Sequence, residues 1–278
     1  MNAPTRRPHR FYLFDRPYRI PDPVPSPGCI DDEQLDTGTA LIWCLGTSHS
    51  DLFLHEVRTR PAGMQLLAIL PRTEEIVDAD ELLRMVELCR PHAVLPFHQE
   101  PDPIDLRTLL AEPPHDLAQS ILAYLAWRGL VLDSDIRRLL RRTVELSETI
   151  STVAGLARGV YMSRRALGRT FLREGLPVPS HWLHLGRVMR AVLHLQWGGE
   201  TLMRVASRLG YPDGFSLSNQ MNRLTGVRPS EVKIRIGWEW VLEAWIRREI
   251  AGGGFGEEQL KMLERRGRSA PSDGVQSA

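Results

Sequence analysis

Leu202-Met203-Arg204-Val205-Ala206-Ser207-Arg208-Leu209-Gly210-Tyr211, followed by Asp213-Gly214-Phe215-Ser216-Leu217-Ser218-Asn219-Gln220-Met221-Asn222-Arg223-Leu224-Thr225-Gly226, is the stretch on which the reading of this chain turns. In its second part Leu217, Met221 and Leu224 fall at i, i+4 and i+7, the inward row of a helix. Asp213 is an N-cap candidate, Gly226 a natural stop, and Gly210 suits a tight turn between two helices. The layout recurs about fifty residues earlier. There Thr152-Val153-Ala154-Gly155-Leu156-Ala157 leads into Tyr161-Met162-Ser163-Arg164-Arg165-Ala166-Leu167-Gly168-Arg169-Thr170-Phe171. Each stretch reads as a short helix, a turn and a second helix with a polar outer face. That is the plan of a helix-turn-helix, whose second helix is presented to the major groove of DNA.

The outer faces carry the chemistry. In the earlier unit Ser163 is a good N-cap, and Ala166, Leu167, Thr170 and Phe171 form the inward face. Arg164, Arg165, Gly168, Arg169 and Arg173 lie around the rest, with no acid before Glu174. A merely solvated face would carry mixed signs, whereas a uniformly basic one is prepared for phosphate. In the later unit Ser216, Asn219, Gln220 and Arg223 form one outward stripe. Asn and Gln pair with adenine and Arg with guanine, although plain surface polarity produces such a stripe as well. The candidate DNA contacts are therefore Arg164, Arg165, Arg169, Ser216, Asn219, Gln220 and Arg223, on recognition helices 163–174 and 213–225. Between the units, Trp182 to Trp197 predicts one long amphipathic helix carrying Leu185, Val188, Met189, Val192, Leu193 and Leu195. A rigid spacer of that kind would set the two recognition helices about one DNA turn, ~34 Å, apart.

The segment from about 135 to 235 resembles the DNA-binding domain of the AraC/XylS family of bacterial regulators. The resemblance rests on Val205-Ala206, Leu209-Gly210-Tyr211, Ser218, Leu224-Thr225-Gly226 and Pro229-Ser230-Glu231. It implies two helix-turn-helix units joined by a long helix and a role in transcription regulation. The implied partner is double-stranded operator DNA, with RNA polymerase and a second copy of the chain as further candidates; no cofactor is implied. The chain departs from the family at several points. The first unit passes from Phe171 to Gly175 in one residue fewer than usual, and Leu217 and Met221 stand where aromatic residues are common. Both of those are tolerable core exchanges. The amino-terminal half does not look like the cupin-type sugar-binding domain common in the family, so no small-molecule ligand is carried over.

Charge divides the chain in the same place. Residues 1–132 hold 12 Arg against 19 acidic residues, a balance of −7, while residues 133–250 hold 19 Lys and Arg against 11, a balance of +8. A local basic domain is what displacing counterions from phosphate requires. With 42% hydrophobic and 25% charged residues the composition is that of a globular protein. The apolar runs are too short to cross a bilayer, and Met1 to Arg10, broken by Pro4 and Pro8, does not read as a secretory signal. Three cysteines without a CxxC pair (Cys29, Cys44, Cys89) fit reduced thiols in a cytoplasm.

Seven prolines between Pro4 and Pro27 predict an extended arm over 1–38. From 39 to 112 strands and helices alternate. Ala40 to Leu45, Met64 to Leu70 and His92 to Phe97 read as strands, and Ser50 to Arg60, Asp80 to Cys89 and Ile104 to Leu110 as helices. Leu82, Leu83, Val86 and Leu88 lie on or near one face of the second helix. The expectation is an α/β domain with a small parallel sheet, receiver-like in plan. Phosphoryl acceptance needs carboxylates after the first strand and an Asp after the third. Gly46-Thr47-Ser48-His49 and Pro96-Phe97-His98-Gln99 supply neither, so an active receiver is disfavoured. His92 and His98 are conceivable metal ligands, but packing or surface roles are favoured. A connecting helix at 113–132 with its neighbour could serve as a linker or dimerisation surface, although simple packing is the favoured role of such an amphipathic pair. An all-α domain of the family type spans 133–250, ending in a Trp-rich helix from Ile236 to Ile250, and a disordered tail is expected over 251–278. Two other function classes were weighed. A protein-interaction adaptor that keeps the fold without DNA recognition is suggested by the short exit after Phe171 and by Gly214. An enzyme finds no nucleophile with a base, no phosphate-cradling loop and no metal-ligand spacing.

Overall fold

Two apolar runs, β3 (Ala40–Cys44) and β4 (Gln65–Ile69), lie side by side in parallel, and β5 (Ala93–Leu95) continues the sheet in the same sense. The structure, a computed structural model, describes residues 10–30, 38–45, 51–71, 78–96 and 102–267. The chain divides into two units: Met1–Glu112 with Ser230–Trp240, and Pro113–Pro229 with Val241–Ala278.

In the first unit the sheet is mixed. β1 (Phe11–Phe14) runs antiparallel to β3, and β2 (Asp22–Val24) antiparallel to β1, giving the order β2-β1-β3-β4-β5. Both added strands come from the Pro-rich stretch expected to be an arm. Phe11 to Phe14 contains no proline and can pair fully with β3. Pro23 sits in β2 at the sheet edge, where its missing N–H breaks no inner ladder. The parallel steps pass through α1 (Asp51–Arg58) and α2 (Ala79–Cys89), and each adds a strand in the same direction. Right-handed crossovers then put both helices on one face. That face buries Leu41, Trp43, Leu66 and Ala68 with Phe11, against Val57 of α1 and Leu82, Met85 and Cys89 of α2. The alternate residues Ala40, Ile42, Leu67 and Ile69, with Phe14, pack against Leu106 and Leu110 of α3 (Pro103–Ala111). Burial on both faces explains why the strands read as continuous apolar runs. The buried row of α2 is Leu82, Met85 and Cys89, while Leu83 and Leu88 are exposed. The expected face was therefore about one residue out of phase.

Two buried polar groups tie this unit together. The Arg60 guanidinium donates to the carbonyls of Val57 and Cys89 at 2.9 Å and of Met64 and Arg90 at 3.2 Å. It thereby satisfies the carboxyl-terminal ends of α1 and α2, where the helix dipole is negative. His92, a conceivable metal ligand by sequence, is instead held by protein groups. Its Nε2 bonds the Leu109 carbonyl at 3.2 Å, and its Nδ1 lies 3.0 Å from the Gln65 amide nitrogen and 3.4 Å from Glu239. Burial alone would lower the His92 pKa, but the hydrogen bond and charge of Glu239 outweigh it and raise it. Burial would raise Glu239, yet the hydrogen bond and charge of His92 and the charge of Arg90 hold its pKa down. His98 and the loops after the first and third parallel strands (46–49 and 97–99) lie outside the described residues.

The second unit is helical: α4 (Leu117–Trp127), α5 (Ser134–Leu146), α6 (Val153–Gly159), α7 (Arg164–Arg173), α8 (Pro179–Trp197), α9 (Leu202–Arg208) and α10 (Gly214–Thr225). After α11 (Pro229–Ile234) come α12 (Glu239–Ala251) and α13 (Glu257–Gly267). α4 buries Leu117, Ala118, Ile121, Leu122, Tyr124, Leu125 and Trp127 within this unit. Arg128 and Glu243 form a buried ion pair at 2.8 Å, with a second guanidinium bond at 2.9 Å. The Tyr124 hydroxyl donates to the same carboxylate, and Arg128 also donates to the Leu263 carbonyl. The pair is thus fully satisfied, the condition under which a buried charge is tolerable. Trp182 of α8 and Trp245 of α12 meet edge to face at 4.7 Å, which accounts for the Trp-rich helix as core.

The carboxyl-terminal stretch corrects an expectation. Residues 257–267, read as part of a disordered tail, form a helix that buries Leu263 completely. Glycines elsewhere in the unit let it pack closely. A Cβ on Gly129 would come within 3.0 Å of the Met262 carbonyl oxygen, and Gly256 N–H donates to Gly175 O at 2.8 Å. Composition alone looked solvent-loving because the apolar residues here are few. Residues 268–278 lie outside the described residues. Among those described, no helix is long and apolar enough to cross a membrane.

Candidate nucleic-acid interface

The doubling seen in sequence extends to individual hydrogen bonds. Thr152 caps α6, its hydroxyl accepting from Gly155 N–H at 3.1 Å, and Thr201 caps α9, accepting from Arg204 N–H at 3.4 Å. In the first turn Met162 N–H donates to Ala157 O at 2.8 Å; in the second Tyr211 N–H donates to Ala206 O at 2.9 Å. Both turns pass through a left-handed residue, Tyr161 at φ 57° and Gly210 at φ 68°. Ser163 then caps α7 by accepting from Ala166 N–H at 3.1 Å, as Asp213 caps α10 by accepting from Ser216 N–H at 2.6 Å. Inside, Leu167 and Phe171 correspond to Leu217 and Met221, all fully buried. The exchange of aromatic for aliphatic residues in the second unit is absorbed without loss of burial.

α8 supports the second turn directly. Arg187, buried on α8, lies 4.6 Å above the Tyr211 ring and donates to the Leu209 carbonyl. His184, one turn away, has its pKa lowered by burial and then by the charges of Arg223, Arg187 and His181. Close approach of helices is set by glycine at two points. A Cβ on Gly186 would sit 2.8 Å from the Ser147 Cβ, and one on Gly214 would sit 3.3 Å from Leu202 Cγ. Gly214 thus seats the start of α10 on α9. The short exit after Phe171 is closed by Gly175 at φ 60° and its bond from Gly256.

Of the seven candidate contact residues, Arg164, Arg165, Arg169, Asn219 and Arg223 are exposed, while Ser216 and Gln220 are half-buried. Arg164, Arg165 and Arg169 share the outer surface of α7, and among the described residues none of the three has a carboxylate partner. Arg173, further along, pairs with Glu174 at 3.0 Å. On α10 the most exposed row is Phe215, Asn219, Asn222 and Arg223, at i, i+4, i+7 and i+8. Sequence reasoning passed over Phe215 and Asn222. It began the stripe at Ser216 because an outer face was taken to be polar; counting one turn back from Asn219 would have found Phe215.

Residues 156–235 match the family model of a helix-turn-helix domain, and the match is to the AraC type of that domain. It covers α7, α8, α9, α10 and α11 and most of α6. It supports, in general terms, a DNA-binding transcription regulator of the AraC type. No curated protein matches the chain.

Proposed function

We propose that the chain is a sequence-specific transcription regulator that inserts α7 and α10 into successive faces of the major groove. Arg164, Arg165 and Arg169 on α7 and Ser216, Asn219, Gln220 and Arg223 on α10 are the contacting residues in this reading. The observation that carries it is the pair of matching, N-capped helices whose outer faces bear guanidinium and carboxamide groups left available to a ligand. Two further features support it. α8, with 19 residues, is about 28 Å long, comparable with the ~34 Å of one DNA turn. The capped amino-terminal ends of α7 and α10 also place partial positive charge where a phosphate would lie.

The test is a gel-shift titration of genomic fragments at several salt concentrations, with wild-type protein and Arg165→Glu/Arg169→Glu. Wild type should show affinity that falls steeply with salt. The double variant should bind at least about 100-fold more weakly, and its log–log salt slope should be shallower by about two. A wild-type protein with no salt-sensitive shift, or a variant that binds as well, refutes the reading.

A further inference from the structure

The exposed face of α10 contains one residue that neither phosphate contact nor polar base readout explains. Phe215 is 75% exposed. It stands in the first turn of α10, and that turn is tightly fixed. Asp213 caps it, and Gly214 is pressed against Leu202, which turns the next side chain away from α9. Phe215 is therefore not a stray core residue: the buried row of the same helix is filled by Leu217, Met221 and Leu224. It heads the outward row that continues through Asn219, Asn222 and Arg223.

Those four side chains suit different features of a major groove. Arg recognises guanine and Asn adenine, and the one apolar feature of the groove is the C5-methyl of thymine, which aromatic and small apolar side chains contact. Residues near the amino terminus of a recognition helix are the ones that reach base edges. Fifty residues earlier the corresponding positions on α7 are Arg165, Arg169, Leu172 and Arg173. The position held by Phe215 is thus a guanidinium in the other unit, whose own exposed apolar residue, Leu172, stands two turns further from the amino terminus of its helix. We propose that Phe215 contacts the C5-methyl of a thymine in the half-site bound by α10 and makes that methyl a determinant of specificity. The proposal rests on the DNA-binding reading above and adds to it one base determinant of one half-site. Asn219 and Asn222 beside it suit adenine contacts in the same half-site, and Arg223 a guanine.

The experiment uses the full chain. A bound duplex is first selected from random DNA, and each of its thymines is then replaced singly by deoxyuridine, which removes only the methyl. Wild type should lose about four-fold in affinity, the value of one buried methyl, at one thymine of one half-site. Phe215→Ala, a change at an exposed position, should bind the thymine duplex more weakly and show no further loss on deoxyuridine substitution there. Leu172→Ala, on the other recognition helix, should leave the methyl effect unchanged. If wild type is indifferent to every thymine methyl, or if Phe215→Ala keeps the full methyl effect, this proposal fails while DNA binding stands. If no duplex can be selected at all, it falls together with the reading on which it rests.

Discussion

The two helix-turn-helix units share a backbone and differ in what they display. From Thr152 to Met162 and from Thr201 to Tyr211 the same bonds recur at a constant offset: the threonine cap, the turn, and the amide that closes it. Beyond the turn the sequences part. The second unit inserts one residue before its cap, uses Asp213 in place of Ser163, and extends its recognition helix to 12 residues against 10. The first helix shows arginines and, near its end, Leu172 outward; the second shows carboxamides, one arginine and a phenylalanine. A repeat of this kind teaches that the buried side is constrained by packing while the outer side is free to diverge. In the function proposed above, α7 would anchor to DNA and α10 would discriminate within it.

The strongest way to break the comparison is to truncate the equivalent core residues. Leu167→Ala and Leu217→Ala should each lower unfolding free energy by about 2–5 kcal/mol in urea titrations, because each leaves a cavity at a fully buried position. If one costs far less than the other, the two units do not rest on the same core, and the equivalence is only one of backbone path.

A smaller effect is expected at the turns. Tyr161 is 97% exposed and occupies a left-handed conformation that glycine accepts freely. Tyr161→Gly should stabilise by up to about 1 kcal/mol, and Gly210→Ala should destabilise by about as much, since the left-handed backbone costs other residues ~1–2 kcal/mol. A destabilising Tyr161→Gly would mean that the ring has work in the folded state after all.

The smallest effect separates the caps by pH. The Ser163 hydroxyl does not titrate, so Ser163→Ala should cost about 1 kcal/mol at neutral and acid pH alike. Asp213 has its pKa lowered by the hydrogen bond from Ser216, so its folded carboxylate holds its charge to a lower pH than the unfolded one. The stabilisation is present above the unfolded value of 3.8 and disappears as pH falls through the lowered folded value. Thermal melts of Asp213→Ala and wild type should therefore converge on acidification, while those of Ser163→Ala should stay apart.

Much of the helical unit is legible in the sequence alone. The caps Ser163 and Asp213, the stop at Gly226, the inward row Leu217-Met221-Leu224 and the long connecting helix follow from side-chain chemistry within one or two turns, and such signals are local. Three readings went astray where the deciding contact was distant in sequence. Phe11 to Phe14 becomes a strand because β3 offers its edge. Residues 257–267 become a helix because Arg128 and Leu263 meet. The inward face of α2 is chosen by the sheet beneath it. At the candidate interface the arginines of α7 could be listed from sequence. Phe215 and Asn222 share the helical row of Asn219, and the seating of Gly214 on Leu202 fixes the rotation that turns this row outward.

The sequence by itself determined that there are two helix-turn-helix units, where each begins and ends, and that one shows a basic face. Those features are written in residues that cap, turn or repeat every 3.6 positions, so neighbours along the chain suffice to read them. Tertiary structure decided the rest. It placed the Pro-rich segment in the sheet, turned a charged tail into a packed helix, paired His92 with Glu239, and aimed Phe215 outward. The first three depend on groups tens to more than a hundred residues apart coming within a few ångströms, and the last on Gly214 meeting Leu202 of the preceding helix.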